Sequence, residues 1–224
     1  TGLMLGAVLG VAGCQQPAST TEPATAPAVV ASPDVHPFQV GALQLASLRD
    51  GEIVLPLDNE MLPWDRTEAT AALQAAGQPT DAVHLSIQPL LVRDGDRVVL
   101  IDAGAGGQMG TQNKLVASLR AAGVTPEQVT DVLISHAHGD HVGGLVKAQG
   151  ALTFPNATIR MTGAEWAHAR EGAEAADAGP LVAAITPRVQ TFEPGAQITP
   201  FIRAVPLDGH TPGHTGYEIA SGQE

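Results

Sequence analysis

The amino-acid sequence predicts an α/β fold, in which mixed β-sheets form a sandwich with helices on the outside. Strand-like and helix-like patterns alternate from about His36 to the end of the 224-residue chain, which is long enough for one sizeable core. Hairpin-like patterns come first, and the run VVLI at 98–101 is apolar throughout, as in a strand covered on both faces. Together these observations indicate layered sheets with helices packed against them.

The first strands are expected around Asp-Gly turns. Segments 38–48 and 51–57 alternate like strands, and we expect Asp50-Gly51 to join them as a turn. Two more strands are expected within 84–101, about the turn at Asp94-Gly95.

Helices and strands are then predicted in alternation. Apolar residues at helical spacing over 113–123 predict a helix that ends at Gly123. The remaining predictions are a turn or short helix start at 125–128, a buried strand at 129–135, the start of a helix at 141–150, a strand at 157–163, a helix at 163–176, and strands at 188–193, 196–199, 201–207 and 215–220.

The first residues are typical of an export signal. The uncharged run GLMLGAVLGVAG is too short to span a bilayer and ends directly before Cys14, the single cysteine in the sequence. VAGC resembles a bacterial lipobox, whose cysteine is lipidated after cleavage, and Gln15 at the next position points to outer-membrane sorting. An ordinary signal peptide with a chance cysteine is the alternative. We therefore expect a lipoprotein signal peptide at 1–13, a flexible Pro/Ala/Thr tether at 14–35 and the folded domain at 36–224.

Composition restricts the partners of the chain. Lys and Arg total 11 against 23 Asp and Glu, so the formal net charge is −12. Such a surface repels nucleic-acid backbones and anionic lipid, so we expect a small-molecule substrate, no nucleic acid, and membrane attachment only through lipid at Cys14. The predicted location is accordingly the periplasmic side of the bacterial outer membrane. The sequence gives no indication of oligomeric state.

The densest group of polar residues follows the buried strand predicted at 129–135. His136, His138, Asp140 and His141 lie within six residues, in HAHGDH. Alternate residues of an extended chain point the same way, so His136 and His138 can bind one metal ion, while Asp140 and His141 can bind a second close by. The alternative, a solvated polar loop, is disfavoured because a second histidine loop, GHTPGHT, contains His210 and His214.

Both loops resemble a known family. HAHGDH is similar to the HxHxDH motif of the metallo-β-lactamase-fold hydrolases, GHTPGHT is similar to their second histidine motif, and LIDAG is similar to their upstream Asp-Gly element. The resemblance extends over about 38–224 and implies an αββα sandwich of two mixed sheets flanked by helices. Within the family, the chain looks most like the methyl-parathion-hydrolase and quorum-quenching lactonase group.

The resemblance implies a role for each matching residue. His136, His138 and His210 would ligate the first metal, while Asp140, which is also the expected catalytic residue, and His141 would ligate the second. Asp102 would orient the ligand loop, and His214 would support a ligand or line the pocket. Zinc is the expected cofactor, with two ions in the full-length protein, although these ligand types also suit Fe, Mn and Co.

Two ligands of the family have no counterpart in the sequence. The resemblance implies a bridging Asp and a last His beyond His210, but no Asp follows Asp208 and the sequence stops at Glu224. It also starts at Thr1 without a basic segment. We therefore expect a fragment clipped at both ends, whose fold is C-terminally incomplete and whose activity is weak until the missing segment is restored.

The expected chemistry is hydrolysis of an ester, lactone or organophosphate by a metal-activated hydroxide. A zinc β-lactamase is the first alternative, since the full HxHxDH motif and export suit it too. An exported, non-catalytic metal-binding protein is an alternative of another class. The RNA-processing branch of the family is disfavoured by the acidic composition. His36, His84 and His168 are lone histidines, to which we assign no metal.

Overall fold

The computed structural model describes residues 29–58, 64–172 and 175–224. The predicted signal peptide, Cys14 and the tether as far as residue 28 lie outside these described residues. None of the helices in the described ranges has the length and apolar character needed to cross a lipid bilayer.

Twelve strands lie within the described residues, and each contains apolar or β-branched side chains. In chain order they are β1 (Val35–Val40), β2 (Leu43–Leu48), β3 (Gly51–Pro56), β4 (Ala82–Ile87), β5 (Leu90–Asp94), β6 (Arg97–Ile101), β7 (Asp131–Leu133), β8 (Thr158–Thr162), β9 (Val189–Phe192), β10 (Gln197–Thr199), β11 (Ile202–Pro206) and β12 (Thr215–Ile219).

The helices connect and cover these strands. In chain order they are α1 (Arg66–Ala75), α2 (Leu115–Ala121), α3 (Gly139–Val142), α4 (Gly163–Glu171) and α5 (Ala175–Ile185), with short 3₁₀ turns at Pro126–Gln128, Gly143–Leu145 and Thr186–Arg188.

A mixed seven-stranded sheet organises the fold, in the order β1-β2-β5-β6-β7-β8-β9. Its first half is antiparallel, whereas β6, β7, β8 and β9 run parallel to one another. An antiparallel three-stranded sheet, β10-β11-β12, and a two-stranded ribbon, β3-β4, complete the structure. The predicted α/β architecture of several sheets flanked by helices is confirmed, although among the described sheets only the seven-stranded one is mixed. Because the carboxyl ends of parallel strands meet at one edge, the residues after β6, β7 and β8 lie side by side.

The two faces of the large sheet pack against different layers. Along β6, Val98 and Leu100 belong to the core on the helix side, which includes Leu119 of α2. Val99 points to the opposite face and packs with Ile202 of the small sheet. The apolar run at 98–101 is therefore covered on both faces, as predicted from its sequence.

The predicted turn at Asp50-Gly51 is wrong, although the turn at Asp94-Gly95 joins β5 and β6 as expected. β3 does not pair with β2 but leaves the large sheet to pair with β4. The cause is the Asp50 side chain, which is fully buried and accepts hydrogen bonds from the amides of Ala105 and Leu115. These contacts hold Asp50 under the loop after β6, so the chain crosses between sheets there.

Other elements differ from prediction in extent. The segment predicted as one strand at 38–48 is a hairpin, in which Gly41 (φ +53°) separates β1 from β2. The helix α1 was not predicted. The helix predicted at 141–150 is only one turn of α3 and a 3₁₀ turn, and the chain is extended again at Val146. The helix predicted at 163–176 ends at Glu171, before Gly172.

Contacts with the folded domain begin slightly before residue 36. Val35 starts β1 and is almost fully buried, with 2% of its surface exposed. The Asp34 carboxylate pairs with the Lys114 ammonium at 3.2 Å. The folded contacts therefore include the last residues of the segment predicted to be a tether.

Candidate metal centre

The histidine loop begins where β7 ends, at the carboxyl edge of the parallel strands. β7 is buried along its length between β6 and β8, so its backbone is fixed on both sides. Asp102, the residue after β6, fixes the position of Ser135. The amide and the hydroxyl of Ser135 each donate a hydrogen bond of 2.8 Å to the Asp102 carboxylate. His138 then starts α3 as its N-cap residue, and the chain turns away.

His136, His138 and His210 form the cluster. Each offers one ring nitrogen, and these three nitrogens all lie within 4.8 Å of one another. The Nε2 atoms of His136 and His210 lie 3.1 Å apart. The cluster thus brings together a loop of the large sheet and the loop between β11 and β12, as the two histidine motifs predicted.

The chemistry of His136 fits a cation at this position. Burial, together with the neighbouring histidines, lowers the pKa of His136 to about 3, so the ring is neutral at neutral pH. Its Nδ1 lies 3.2 Å from the Ser135 hydroxyl. Since that hydroxyl already donates to Asp102, it can accept from a protonated Nδ1. The Nε2 lone pair then faces the cluster, as a metal ligand requires.

The second predicted pair, Asp140 and His141, lies beside His136, whose ring centroid is 3.9 Å from that of His141. The His141 Nδ1–H donates to the Asp102 carboxylate at 2.8 Å, and the His141 Nε2 lies 3.4 Å from an oxygen of Asp140. Asp102 adopts a left-handed backbone conformation, φ 62°, which Asp tolerates better than most residues. Asp102 thus contacts both Ser135 and His141, and its role in orienting the ligand loop remains a prediction. The metal-binding roles of Asp140 and His141 remain predictions.

Asp140 and His141 shift each other's pKa. Burial acts to lower the pKa of His141, but hydrogen bonds to the carboxylates of Asp102 and Asp140 outweigh it and raise the pKa to about 9. The hydrogen bond with His141 in turn holds the pKa of Asp140 below its ordinary value. In the metal-free protein His141 is therefore an imidazolium at neutral pH.

This shift predicts how the stability of the metal-free protein depends on pH. Because the pKa of His141 is raised from 6.5 to about 9 on folding, its contribution is fully present below pH 6.5 and is lost as the pH rises toward 9. In the presence of a chelator, urea denaturation should show the free energy of unfolding falling by on the order of 1–3 kcal/mol over this interval. His141→Gln should remove that fall, and a fall of unchanged size in the variant would contradict the assignment.

His214 lies beside the cluster without being one of its three members. Its ring centroid is 4.8 Å from that of His136 and 5.6 Å from that of His210. The geometry thus places His210 with the other two ring nitrogens and leaves His214 as a neighbour. The selection of His210 over His214 as the ligand stays a prediction.

Glu165 was not predicted from the sequence, although its carboxylate touches both histidine loops. It accepts hydrogen bonds from the amides of Ala137 and Gly213 and from the hydroxyl of Thr211. Two signals indicate it in retrospect. Glu165 is three residues after Thr162 at the carboxyl end of β8, the next parallel strand, and Thr-x-x-Glu is the pattern of a capping box.

Two clefts flank the cluster. One of about 390 Å³ lies between His138 and helices α4 and α5, with Gln108, His168 and Leu181 in its wall. The other, about 230 Å³, adjoins Asp140 and His141. Both lie directly beside the predicted ligands, and the volume of the larger cleft suits a small molecule.

Comparisons with known proteins agree with this geometry. The model of the family described as the metallo-beta-lactamase superfamily matches residues 85–224. AidC, a dizinc quorum-quenching lactonase solved with its product N-hexanoyl-L-homoserine, is 27% identical, with a TM-score of 0.78 over 85% of this chain and 71% of AidC. The hydrolase AbOPH of the beta-lactamase superfamily is 30% identical, with a TM-score of 0.72 over 85% of this chain and 71% of its own. A probable metal-dependent hydrolase from Staphylococcus aureus, 21% identical with a TM-score of 0.66, covers 83% of this chain and 71% of its own and shows likeness of fold.

Proposed function

The chain belongs to the metallo-beta-lactamase superfamily and is a metal-dependent hydrolase, and from this premise we propose that it hydrolyses small, uncharged carboxylic or phosphoric esters, with lactones foremost. The resemblance drawn from HAHGDH, GHTPGHT and LIDAG is thereby confirmed. The observation that carries the proposal is the convergence of His136, His138 and His210 from two distant loops. Support for lactones comes from AidC, and AbOPH supports hydrolysis without indicating a substrate.

Zinc is the cation that we propose for this site. A dizinc relative supports zinc, and neutral imidazoles with carboxylates are ligands that zinc prefers. When bound, such an ion supplies Lewis acidity and lowers the pKa of a coordinated water from about 16 to about 7. The residues of the chain supply the rest. The lowered pKa of His136 keeps a nitrogen lone pair free on its ring at neutral pH. The Asp102 carboxylate fixes the ring of His141 by accepting a hydrogen bond from the His141 Nδ1–H.

Charge favours an uncharged substrate. The net charge of −12 disfavours polyanions such as RNA, whereas a lactone or neutral ester is not repelled. The cleft beside His138 offers about 390 Å³ with Leu181 in its wall, which suits the apolar part of a small ester.

The test compares four substrate classes on the zinc-loaded full-length protein: an N-acyl homoserine lactone, an aryl ester, a phosphotriester and a cephalosporin. We expect the lactone to give the highest kcat/KM. His138→Ala is the control, because it removes one of the three clustered imidazoles. The rate with the preferred substrate should fall at least a hundredfold in this variant. Preference for the cephalosporin would favour a β-lactamase. Zinc binding without turnover of any substrate above the control would favour a non-catalytic metal-binding protein.

We extend the proposal to location. The lipobox-like segment before Cys14 supports export and attachment to the periplasmic face of the bacterial outer membrane. An acyl homoserine lactone that diffuses through the envelope would meet the enzyme there.

A further inference from the structure

Glu165 is a buried acidic residue that joins the two ligand loops. Its side chain is fully buried, with 0% of its surface exposed. One carboxylate oxygen, Oε1, accepts a hydrogen bond from the amide of Ala137 at 2.7 Å. The other, Oε2, accepts from the Thr211 hydroxyl at 2.7 Å and from the Gly213 amide at 3.1 Å. A carboxylate can accept all of these bonds because it carries no donor of its own.

The three donors occupy informative positions. Ala137 lies between His136 and His138. A hydrogen bond to its amide therefore restrains the backbone that carries both rings. Thr211 directly follows His210, and Gly213 directly precedes His214. A single side chain thus connects the loop after β7 to the loop between β11 and β12 at the residues adjoining the cluster.

The start of α4 is shaped to receive the second loop. The Thr162 hydroxyl accepts from the Glu165 amide and donates to the Gly213 carbonyl. A Cβ atom at Gly213 would fall on the Thr162 hydroxyl and the Glu165 amide, so only glycine allows this approach. The contact is therefore close at backbone level, and Glu165 occupies its centre.

We propose that Glu165 is a positioning residue that fixes the separation of the two histidine loops and thereby sets the metal affinity of the site. This inference rests on the proposed metal-dependent function. Glu165 touches none of the three clustered rings in the hydrogen bonds described, and it acts through the backbone on either side of them. Partners that orient metal ligands in this indirect way typically contribute 10- to 100-fold to metal affinity.

The test is the affinity of the protein for Co²⁺ and Zn²⁺, measured by titration against a chelating indicator. Glu165→Gln keeps the volume of the side chain but replaces one acceptor oxygen with an NH₂ group that faces a donor. We expect 10- to 100-fold weaker binding and an altered visible spectrum of the Co²⁺ form, with an unchanged far-ultraviolet circular dichroism spectrum. Asp131→Asn is the matched control. It also neutralises a buried, hydrogen-bonded carboxylate, but Asp131 pairs with Arg160 at the opposite end of β7.

The outcomes separate this inference from the proposed function. If the unmodified protein binds neither ion, the proposed function fails. If it binds both and Glu165→Gln binds them equally well, or if Asp131→Asn weakens binding as much, the positioning role of Glu165 is wrong while the proposed function stands. Thr211→Val provides a second measurement if Glu165→Gln does not fold. It removes one donor to Glu165 and should weaken binding by a smaller factor, and an unchanged affinity would also contradict the inference.

Discussion

Replacing His210 with alanine is expected to lower zinc affinity roughly a thousandfold and to reduce turnover below detection. Binding free energies of complete zinc sites are on the order of 10–16 kcal/mol, so one imidazole of three or four ligands contributes about 4 kcal/mol. His210 contributes a ring nitrogen to the group within 4.8 Å, and its Nε2 lies 3.1 Å from that of His136. Competition with a chelator of known affinity measures the loss.

His214→Ala is the matched control for His210→Ala. The two histidines share one loop, and both rings approach His136, with centroid separations of 4.6 Å for His210 and 4.8 Å for His214. Only His210 belongs to the group of three ring nitrogens, so we expect His214→Ala to weaken zinc binding about tenfold at most. The opposite order of effects would show that His214 is the ligand and that the assignment of His210 is wrong.

Replacing Gly144 with alanine is expected to cost on the order of 3–5 kcal/mol of folding stability. A Cβ atom at this position would fall on the carbonyl oxygen of Ala103, which belongs to the loop after β6. Backbone cannot move aside as a flexible side chain can, and the Gly144 amide also donates to the carbonyl of Gly104 at 3.0 Å. The substitution should therefore push the loop that begins at Asp102 away from the histidine loop.

Gly139→Ala is the control for Gly144→Ala, because the same substitution is made within the same histidine-rich segment. Among the described residues beyond its own helix and chain neighbours, a Cβ at Gly139 would approach the sulfur of Met109 alone within 4 Å, at an ordinary contact distance of 3.6 Å. We expect a change of about 1 kcal/mol or less, since alanine also favours the helix that starts there. Urea denaturation of both variants with a chelator present measures the difference. Similar stabilities would refute the backbone clash.

The histidine loops were predictable because their information is local. HAHGDH places its ring-bearing residues within one loop after one strand, and GHTPGHT does the same, so spacing alone indicated a shared cation. That the two loops come together in the fold was implied by the resemblance to the family.

Glu165 and Asp50 were not predicted because their partners are distant in sequence. The hydrogen-bond partners of Glu165 are separated from it by 28, 46 and 48 positions in the sequence. Those of Asp50 are separated from it by 55 and 65 positions. Nothing adjacent to either residue reveals these partners. A Thr-x-x-Glu pattern predicts a helix cap, and an Asp-Gly pair predicts a hairpin. The Thr162 cap forms as its pattern predicts, but the Glu165 carboxylate bonds to distant donors instead of the cap. For Asp50, buried tertiary donors replace the hairpin that the local pair predicts.

The helix α1 was missed for a different reason. None of its residues is buried, so its sequence lacks the apolar stripe by which an amphipathic helix is usually detected. Asp65 caps it, with a carboxylate oxygen that accepts from the Glu68 amide at 3.0 Å. Alanine-rich composition and this cap were the available signals.

The pairing of His136 with His210 joins positions 74 residues apart, one beside the large sheet and one beside the small sheet. A cation shared by the two rings would close that length of chain into a ring, as a cross-link does. By loop-closure entropy alone, such a ring disfavours the unfolded chain by roughly 4 kcal/mol. Loss of the metal would then favour the unfolded chain, which proteases cleave, so the lifetime of each molecule would depend on the metal supply.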